Sequence, residues 1–358
     1  DPYKYGPELV KTFPSDVVTL TNEGTADADP IFELEVKEPV TFAMIANQDD
    51  EYMMIGKPYD LTQQKPYIPE KRVFWHEMNT TVGWTTPPTV ENGEIAGNIT
   101  SNGYKFIASD FGTGQNWHGP ALKTSIPEAP LRNFKIDVIA EFFNVNRTGS
   151  NMGRLEIDLV NAAEEVVAKL ALTDVYPQSN IVIGQARAGK AGGLNHYLIN
   201  EYGDYTGVWN NFYGVLRILR KGNQWEAYIA KVASDSGRHH SRRFVRWTDH
   251  DGIITDEVTQ VRIYMAQFAN NPVVGMAVHD IKIWRLEEKQ DEVPYIADEG
   301  DIITFDHKNA DILINGESRA DLKQLGASFF KLKKGENLLV VSPDDSFNVK
   351  CRYRPTYL

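Results

Sequence analysis

Apolar and polar side chains alternate along most of this chain. Phe32, Leu34 and Val36 alternate with Glu33, Glu35 and Lys37; Leu155, Ile157 and Leu159 alternate with Arg154, Glu156 and Asp158. Val261, Ile263 and Met265 do the same against Arg262 and Tyr264. A period of two places one set on a single face of a half-buried strand. Turn-forming runs separate such segments: Asn22-Glu23-Gly24, Asn102-Gly103, Lys221-Gly222-Asn223, Asn315-Gly316 and Lys334-Gly335-Glu336. Their spacing is that of antiparallel sandwiches. Helical periodicity is scarce, and Ala320 to Leu325 alone reads as a brief helical turn. The fold class is all-β.

Two stretches break the pattern. Pro58 to Pro69 (PYDLTQQKPYIP) is rich in proline, and Glu287 to Pro294 (EEKQDEVP) is a charge run closed by proline. Both read as seams. They set off residues 72–286, a good size for one large sandwich, from flanks 1–71 and 287–358. Either flank alone is marginal for a core, so economy favours both folding together around an inserted middle.

Composition narrows the function classes. A 42% hydrophobic content supports real cores rather than global disorder. The net charge of -12 argues against a nucleic-acid partner, which needs clustered cations. The basic run Arg238 to Arg246 (RHHSRRFVR) reads as a solvated loop and strand face. No apolar stretch is long enough to span a membrane, and no signal peptide opens the chain. Starting at Asp1-Pro2, it reads as the excised part of something longer. The sequons at Asn79, Asn98 and Asn146 read as chance. The single cysteine, Cys351, alternates with Phe347, Val349 and Tyr353 and reads as a small buried hydrophobe.

Gly184 to Ala191 (GQARAGKA) approaches a phosphate-binding loop, but Ala191 stands where a hydroxyl should hold Mg²⁺. A flexible loop is the better reading. Glu156 with Asp158, and Glu33 with Glu35, have the spacing of paired glycosidase acids, but any solvated strand face produces it. His239-His240 with Asp235 or Asp249 is weak as a metal set. No GxSxG occurs, so no catalytic residue and no metal ligand is assigned. No cofactor is expected, although Asp249-His250-Asp251-Gly252 permits a structural Ca²⁺ ion.

Sugar binding asks for aromatic faces against which pyranose C–H groups pack, with planar polar groups beside them. Two loops carry that mixture. One runs from Asp110 to Pro120 (DFGTGQNWHGP) and offers Asp110, Asn116, Trp117 and His118. The other runs from Asn195 to Tyr213 and offers Tyr202, Asp204, Tyr205, Trp209, Asn210 and Asn211. Trp75, Trp225 and Trp284 sit in strand patterns and are assigned to the core.

The flanks also carry a resemblance. DPYKYGP from Asp1, NEGTADADPIFELEV from Asn22, ANQDDEYMMIG ending at Gly56, DIITFDHKNADILINGESR from Asp301, FKLKKGENLLVVS from Phe330 and VKCRYRPTYL resemble, in order and spacing, one known domain. It is the C-terminal domain of siphovirus distal tail proteins from phages of Gram-positive hosts. The middle, opening on RVFWHEM and Gly83-Trp84 and closing on VVGMAVHDIKIWRL, resembles the carbohydrate-binding modules inserted in enlarged ("evolved") distal tail proteins. The resemblance implies a discontinuous galectin-like β-sandwich bearing an inserted concanavalin-like jelly roll. It implies a non-enzymatic component of the phage tail tip, or baseplate hub, in the virion, encoded by a phage or prophage and made in the bacterial cytoplasm. Implied partners are host cell-wall polysaccharide and other phage tail proteins (tail tube, tail-associated fibre or hub proteins). A hexameric ring is implied for the full-length protein, with this chain alone monomeric. Two alternatives stay open: an architectural protein whose insert contacts other tail proteins, and a glycan-degrading enzyme on the inserted sandwich.

Overall fold

The structure is a computed structural model that describes residues 4–59, 66–145, 151–287 and 292–358. The sequon at Asn146, the start of the DPYKYGP segment and the middle of both seams lie outside the described residues. The described chain is built almost wholly of strands. Its one helical element among the described residues is a 3-10 turn at Ala320–Leu322, within the segment that reads as a helical turn.

The chain divides into two compact units. One comprises Asp1–Pro69, Ser234–Arg238 and Glu288–Leu358; the other comprises Glu70–Ala233 and His239–Glu287. In the first unit, strands from the two ends of the sequence interleave. Ile31–Val36 lies between Phe347–Tyr353 and Ile302–Asp306 in a six-stranded sheet. Gly335–Ser342 lies between Val17–Asn22 and Phe42–Asn47 in a four-stranded one. Phe32, Leu34, Ile303, Phe305, Leu339, Val341 and Val349 fill the core between them. Cys351 is fully buried there, and burial pushes its thiol well above the usual range. That makes it inert packing.

In the second unit two eight-stranded sheets enclose a single large core. One sheet pairs Glu70–His76 with Gly275–Leu286, so the first and last strands of the unit are antiparallel neighbours. Glu70 lies opposite Leu286, which returns the chain to where it left. In the first unit the adjoining segments Pro66–Tyr67 and Val293–Pro294 pair as well. Trp225 is wholly in the core, but two other tryptophans depart from expectation. Trp75 is 49% exposed and Trp284 is half-buried. Both lie on the outer side of their sheet, where Arg72 and Lys282 flank Trp75 and Lys135 covers Trp284. Strand periodicity says that such a ring has one face only; it does not say which face the core takes.

Candidate functional site

The second sheet of this unit carries the site. Its strands, numbered here in chain order, are β1 (Glu94–Ile95), β2 (Trp117–Gly119), β3 (Ala121–Ser125), β4 (Gly153–Val160), β5 (Val166–Asp174), β6 (Ile183–Gly189), β7 (Asn195–Glu201) and β8 (Gln260–Phe268). They lie in the order β7-β6-β5-β4-β8-β2-β1, with β3 also paired to β8. One side of each strand feeds the core through Leu155, Ile157, Leu170, Leu172, Ala186, Ile263 and Met265. The other side faces outward, and antiparallel register aligns its side chains in rungs across the strands.

The middle rung reads Tyr264, Glu156, Ala171, Gln185, Asn200. On one side of it runs Arg262, Asp158, Lys169, Arg187, Tyr197, and on the other Ala266, Arg154, Thr173, Ile183. Charges in these rungs neutralise one another. Glu156 accepts from Arg154 and from Lys169, the latter at 2.6 Å; Asp158 accepts from Arg262 at 2.7 Å. Lys169 also lies 3.0 Å from Glu91, to which Arg187 donates at 2.6 Å. Burial works against both charges here, and the pairing outweighs it. The Lys169 ammonium is pushed above its ordinary value by Asp158, Glu156 and Glu91. The Glu91 carboxyl is held at about 2 by Lys169, Arg187 and the Ala191 amide.

Glu91 belongs to the loop before β1, and the sheet staples that loop down across part of its own outer face. Arg262 donates to the Thr89 carbonyl, Arg154 to that of Asn92, and the Tyr264 hydroxyl to that of Glu94. Gly93 lets the loop lie this close to the sheet, because a Cβ there would lie 2.3 Å from the Tyr264 hydroxyl oxygen. What the loop leaves open is a hollow of about 490 Å³. It is lined by the rings of Trp117, Tyr197 and Tyr176, by Asn92, Gln185, Asn200 and Thr173, and by Arg154, Arg187, Lys169 and Glu156. Trp117 on β2 and Tyr197 on β7 are five strand positions apart. At ~4.8 Å per strand that is roughly 24 Å. Small residues at Ala171 and Ala266 keep the rungs low between them.

The residues singled out in sequence separate into two groups. Trp117 lines the hollow, half-buried against Phe268 and under the Arg154 guanidinium. Its neighbours do not join it there. His118 is buried and its Nδ1 is 2.9 Å from the Asn116 carbonyl oxygen, a turn that also receives the Ala269 amide. The Asn116 side chain is exposed, and Asp110, the last residue of the strand Phe106–Asp110, is exposed and accepts from the Gly112 amide.

The second loop is largely structural. Trp209 is 0% exposed, with its Nε1 donating to the Ser241 carbonyl at 2.8 Å. Gly184 leaves room for the indole, since a Cβ there would lie 2.6 Å from the ring. A ring with both faces covered has none left to stack on a sugar, so the expectation of Trp209 as an exposed platform is corrected. Asn210 accepts from the Val182 amide and donates to the Asn180 carbonyl, and Asn211 accepts from the Val145 amide with its own backbone at φ 48°. Both tie loops together. Tyr202, Asp204 and Tyr205 are exposed but lie outside the lining of the hollow.

Residues 266–357 match the family described as "Siphovirus-type tail component, C-terminal domain". This stretch of the chain is similar to the C-terminal domain of siphovirus-type tail components. Among solved structures, the CBM2 module of the evolved Dit of Lactobacillus casei BL23 phage J-1 is 17% identical, with a TM-score of 0.51 over 64% of this chain and 99% of that one. The VIP36 exoplasmic/lumenal domain in its Ca²⁺/mannose-bound form is 9% identical, with a TM-score of 0.40 over 65% of this chain and 96% of that one. The first of these likenesses carries the fold, a β-sandwich like that module. No curated protein matches the chain.

Several residues of the hollow carry no clear signal in the sequence. Gln185 and Arg187 lie in Gly184 to Ala191, which is not a flexible loop: most of it is β6. Tyr197 and Asn200 lie inside the aromatic stretch, but on the strand before the loop that was singled out. Their signal was alternation, Tyr197 and Asn200 outward around Leu198 and Ile199 inward, interrupted by a bulge. Glu156 offers no free carboxylate to a substrate, because both its oxygens are bound by cations and it is 2% exposed. Among the described residues no group of three or more His, Cys, Asp or Glu side chains is placed to hold a metal ion. Near the hollow, Asp174 is fully buried and its Oδ1 makes no hydrogen bond. Burial pushes its carboxyl up despite hydrogen bonds from Asn144 and the Ile181 amide.

Proposed function

We propose that this tail component is a structural part of the tail tip whose inserted sandwich holds host cell-wall carbohydrate during adsorption. The observation that carries the reading is the open hollow on the outer face of β2 and β4 to β8, with Trp117 and Tyr197 at its ends and amide side chains between them. Aromatic rims and hydrogen-bonding floors are what an extended polyol needs, and no reacting group is required. Glu156 and Asp158, the pair a glycosidase would use, are tied to Arg154, Lys169 and Arg262, so the role is binding. In a hexameric ring several such hollows face one wall, and weak single contacts add to firm attachment.

The family match fits an architectural role equally, with the insert contacting other tail proteins. The two readings part in one experiment. Fluorescently labelled chain is applied to candidate Gram-positive cells and competed with their solubilised wall polysaccharide. Saturable binding that polysaccharide displaces, and that Trp117→Ala removes, supports the proposal. Absence of binding on every host, with capture of tail-tube or hub proteins instead, supports the architectural reading.

A further inference from the structure

Building on the carbohydrate reading, we infer that the hollow selects an uncharged polysaccharide and that Gln185 and Asn200 together read adjacent hydroxyls on one of its rings.

Charge comes first. Of the charged side chains lining the hollow, Arg154, Lys169 and Arg187 outnumber Glu156, but Glu91 and Asp158 behind the lining pair with Arg187 and Lys169 and offset the excess. More decisive is where the donors point. Arg187 gives Nε to the Gly189 carbonyl and Nη2 to Glu91. Arg262 gives Nε and Nη2 to Asp158 and Nη1 to the Thr89 carbonyl. Arg154 gives Nη1 to the Asn92 carbonyl and Nη2 to Glu156. A site for phosphate or carboxylate needs guanidinium edges turned outward for paired hydrogen bonds. Here those edges are turned inward.

The Gln185–Asn200 pair is different. Gln185 Nε2 donates to Asn200 Oδ1 at 3.0 Å on the exposed surface of adjacent strands. That single bond leaves Gln185 Oε1 an acceptor and Asn200 Nδ2 a donor, with no protein partner among the described residues. Reversing both amides leaves the same combination, one donor beside one acceptor. Neighbouring hydroxyls on a pyranose offer the complementary combination, each able to donate and to accept. Tyr197 stands on the same strand as Asn200, is 41% exposed and has the Arg187 guanidinium 5.7 Å from its ring centroid, so its ring borders the pair. Two amides beside one aromatic ring can read hydroxyls through uncharged hydrogen bonds.

The test titrates the full chain by calorimetry with two fractions of one host wall: the neutral polysaccharide freed of phosphate, and the polyol-phosphate polymer. Each is run at about 20 mM and about 500 mM NaCl, conditions between which exposed charge interactions collapse. The expected result is binding of the neutral fraction with less than a twofold change across salt. Gln185→Ala and Asn200→Ala each weaken it roughly three- to tenfold, as loss of one hydrogen bond does. Preference for the polyol phosphate, with affinity falling tenfold or more in high salt, overturns the inference. Neutral binding that Trp117→Ala removes but Gln185→Ala and Asn200→Ala leave unchanged overturns the role of the pair and keeps the hollow. Binding of neither fraction, on any candidate host wall, removes the carbohydrate reading on which the inference stands.

Discussion

Trp117 and Trp209 present the same side chain in opposite roles. Trp209 fills the core with its polar edge satisfied, so Trp209→Ala leaves a cavity and an orphaned carbonyl at Ser241. We predict a loss of about 3–5 kcal/mol in chemical denaturation of the sandwich. A loss below about 1 kcal/mol would show that the ring is not packed as described. Trp117→Ala should leave stability nearly intact and cost about 1 kcal/mol or more in polysaccharide affinity. Glu91 adds a pH signature. Its folded carboxyl is held at about 2, below the ordinary 4.5. A depressed carboxyl contributes stability that is complete above 4.5 and fades as pH falls toward 2. Glu91→Gln should therefore narrow its stability deficit against the parent over that window, read from denaturant midpoints. A deficit that stays constant from neutral pH to 2 would contradict the assignment.

Strand β5 shows what a rung of charges does to an element. All nine residues from Val166 to Asp174 are buried, although Lys169, Thr173 and Asp174 are polar. Read by period, such a run looks like a strand with two apolar faces, and nothing in it announces a binding surface. The cause is Lys169, which is 3% exposed among three carboxylates. Lys169→Met removes the cation that those carboxylates share and leaves each with one arginine, and a deficit of about 3–5 kcal/mol should follow. A neutral or stabilising outcome would mean that the loop carrying Glu91 lifts away and rehydrates them. The same element scale explains the misread Gly184 to Ala191. Its small residues give way to Gly184 under Trp209 and Ala186 and Ala188 in the core, a packing reason invisible along the chain.

At the scale of the whole molecule, the all-β class was legible because alternation in Phe32–Lys37, Arg154–Leu159 and Val261–Met265 needs no long-range information. The tail-protein resemblance was legible from ordered motifs such as DIITFDHKNADILINGESR, in the stretch that the family match covers. The hollow was not legible. It is assembled from rungs that join residues as distant as Trp117, Arg154, Gln185 and Tyr197, and only strand order brings them together. Aromatic density along the sequence pointed instead to Tyr202–Asn211, where the central ring is core. We further propose that the middle of the chain is a self-sufficient graft. Residues 70–287 expressed alone should unfold in one cooperative transition seen equally by tryptophan fluorescence and circular dichroism. Non-coincident transitions would contradict that.

The central proposal is that the outer face of β2 and β4 to β8, and not the loop after β7, is where this chain holds carbohydrate. Calorimetric titration of the full chain with purified wall polysaccharide, repeated for Trp117→Ala, Tyr197→Ala and Tyr202→Ala, tests it most directly. The account predicts that the first two substitutions weaken or abolish binding while Tyr202→Ala binds like the parent. Binding lost on Tyr202→Ala and retained by the other two would contradict it.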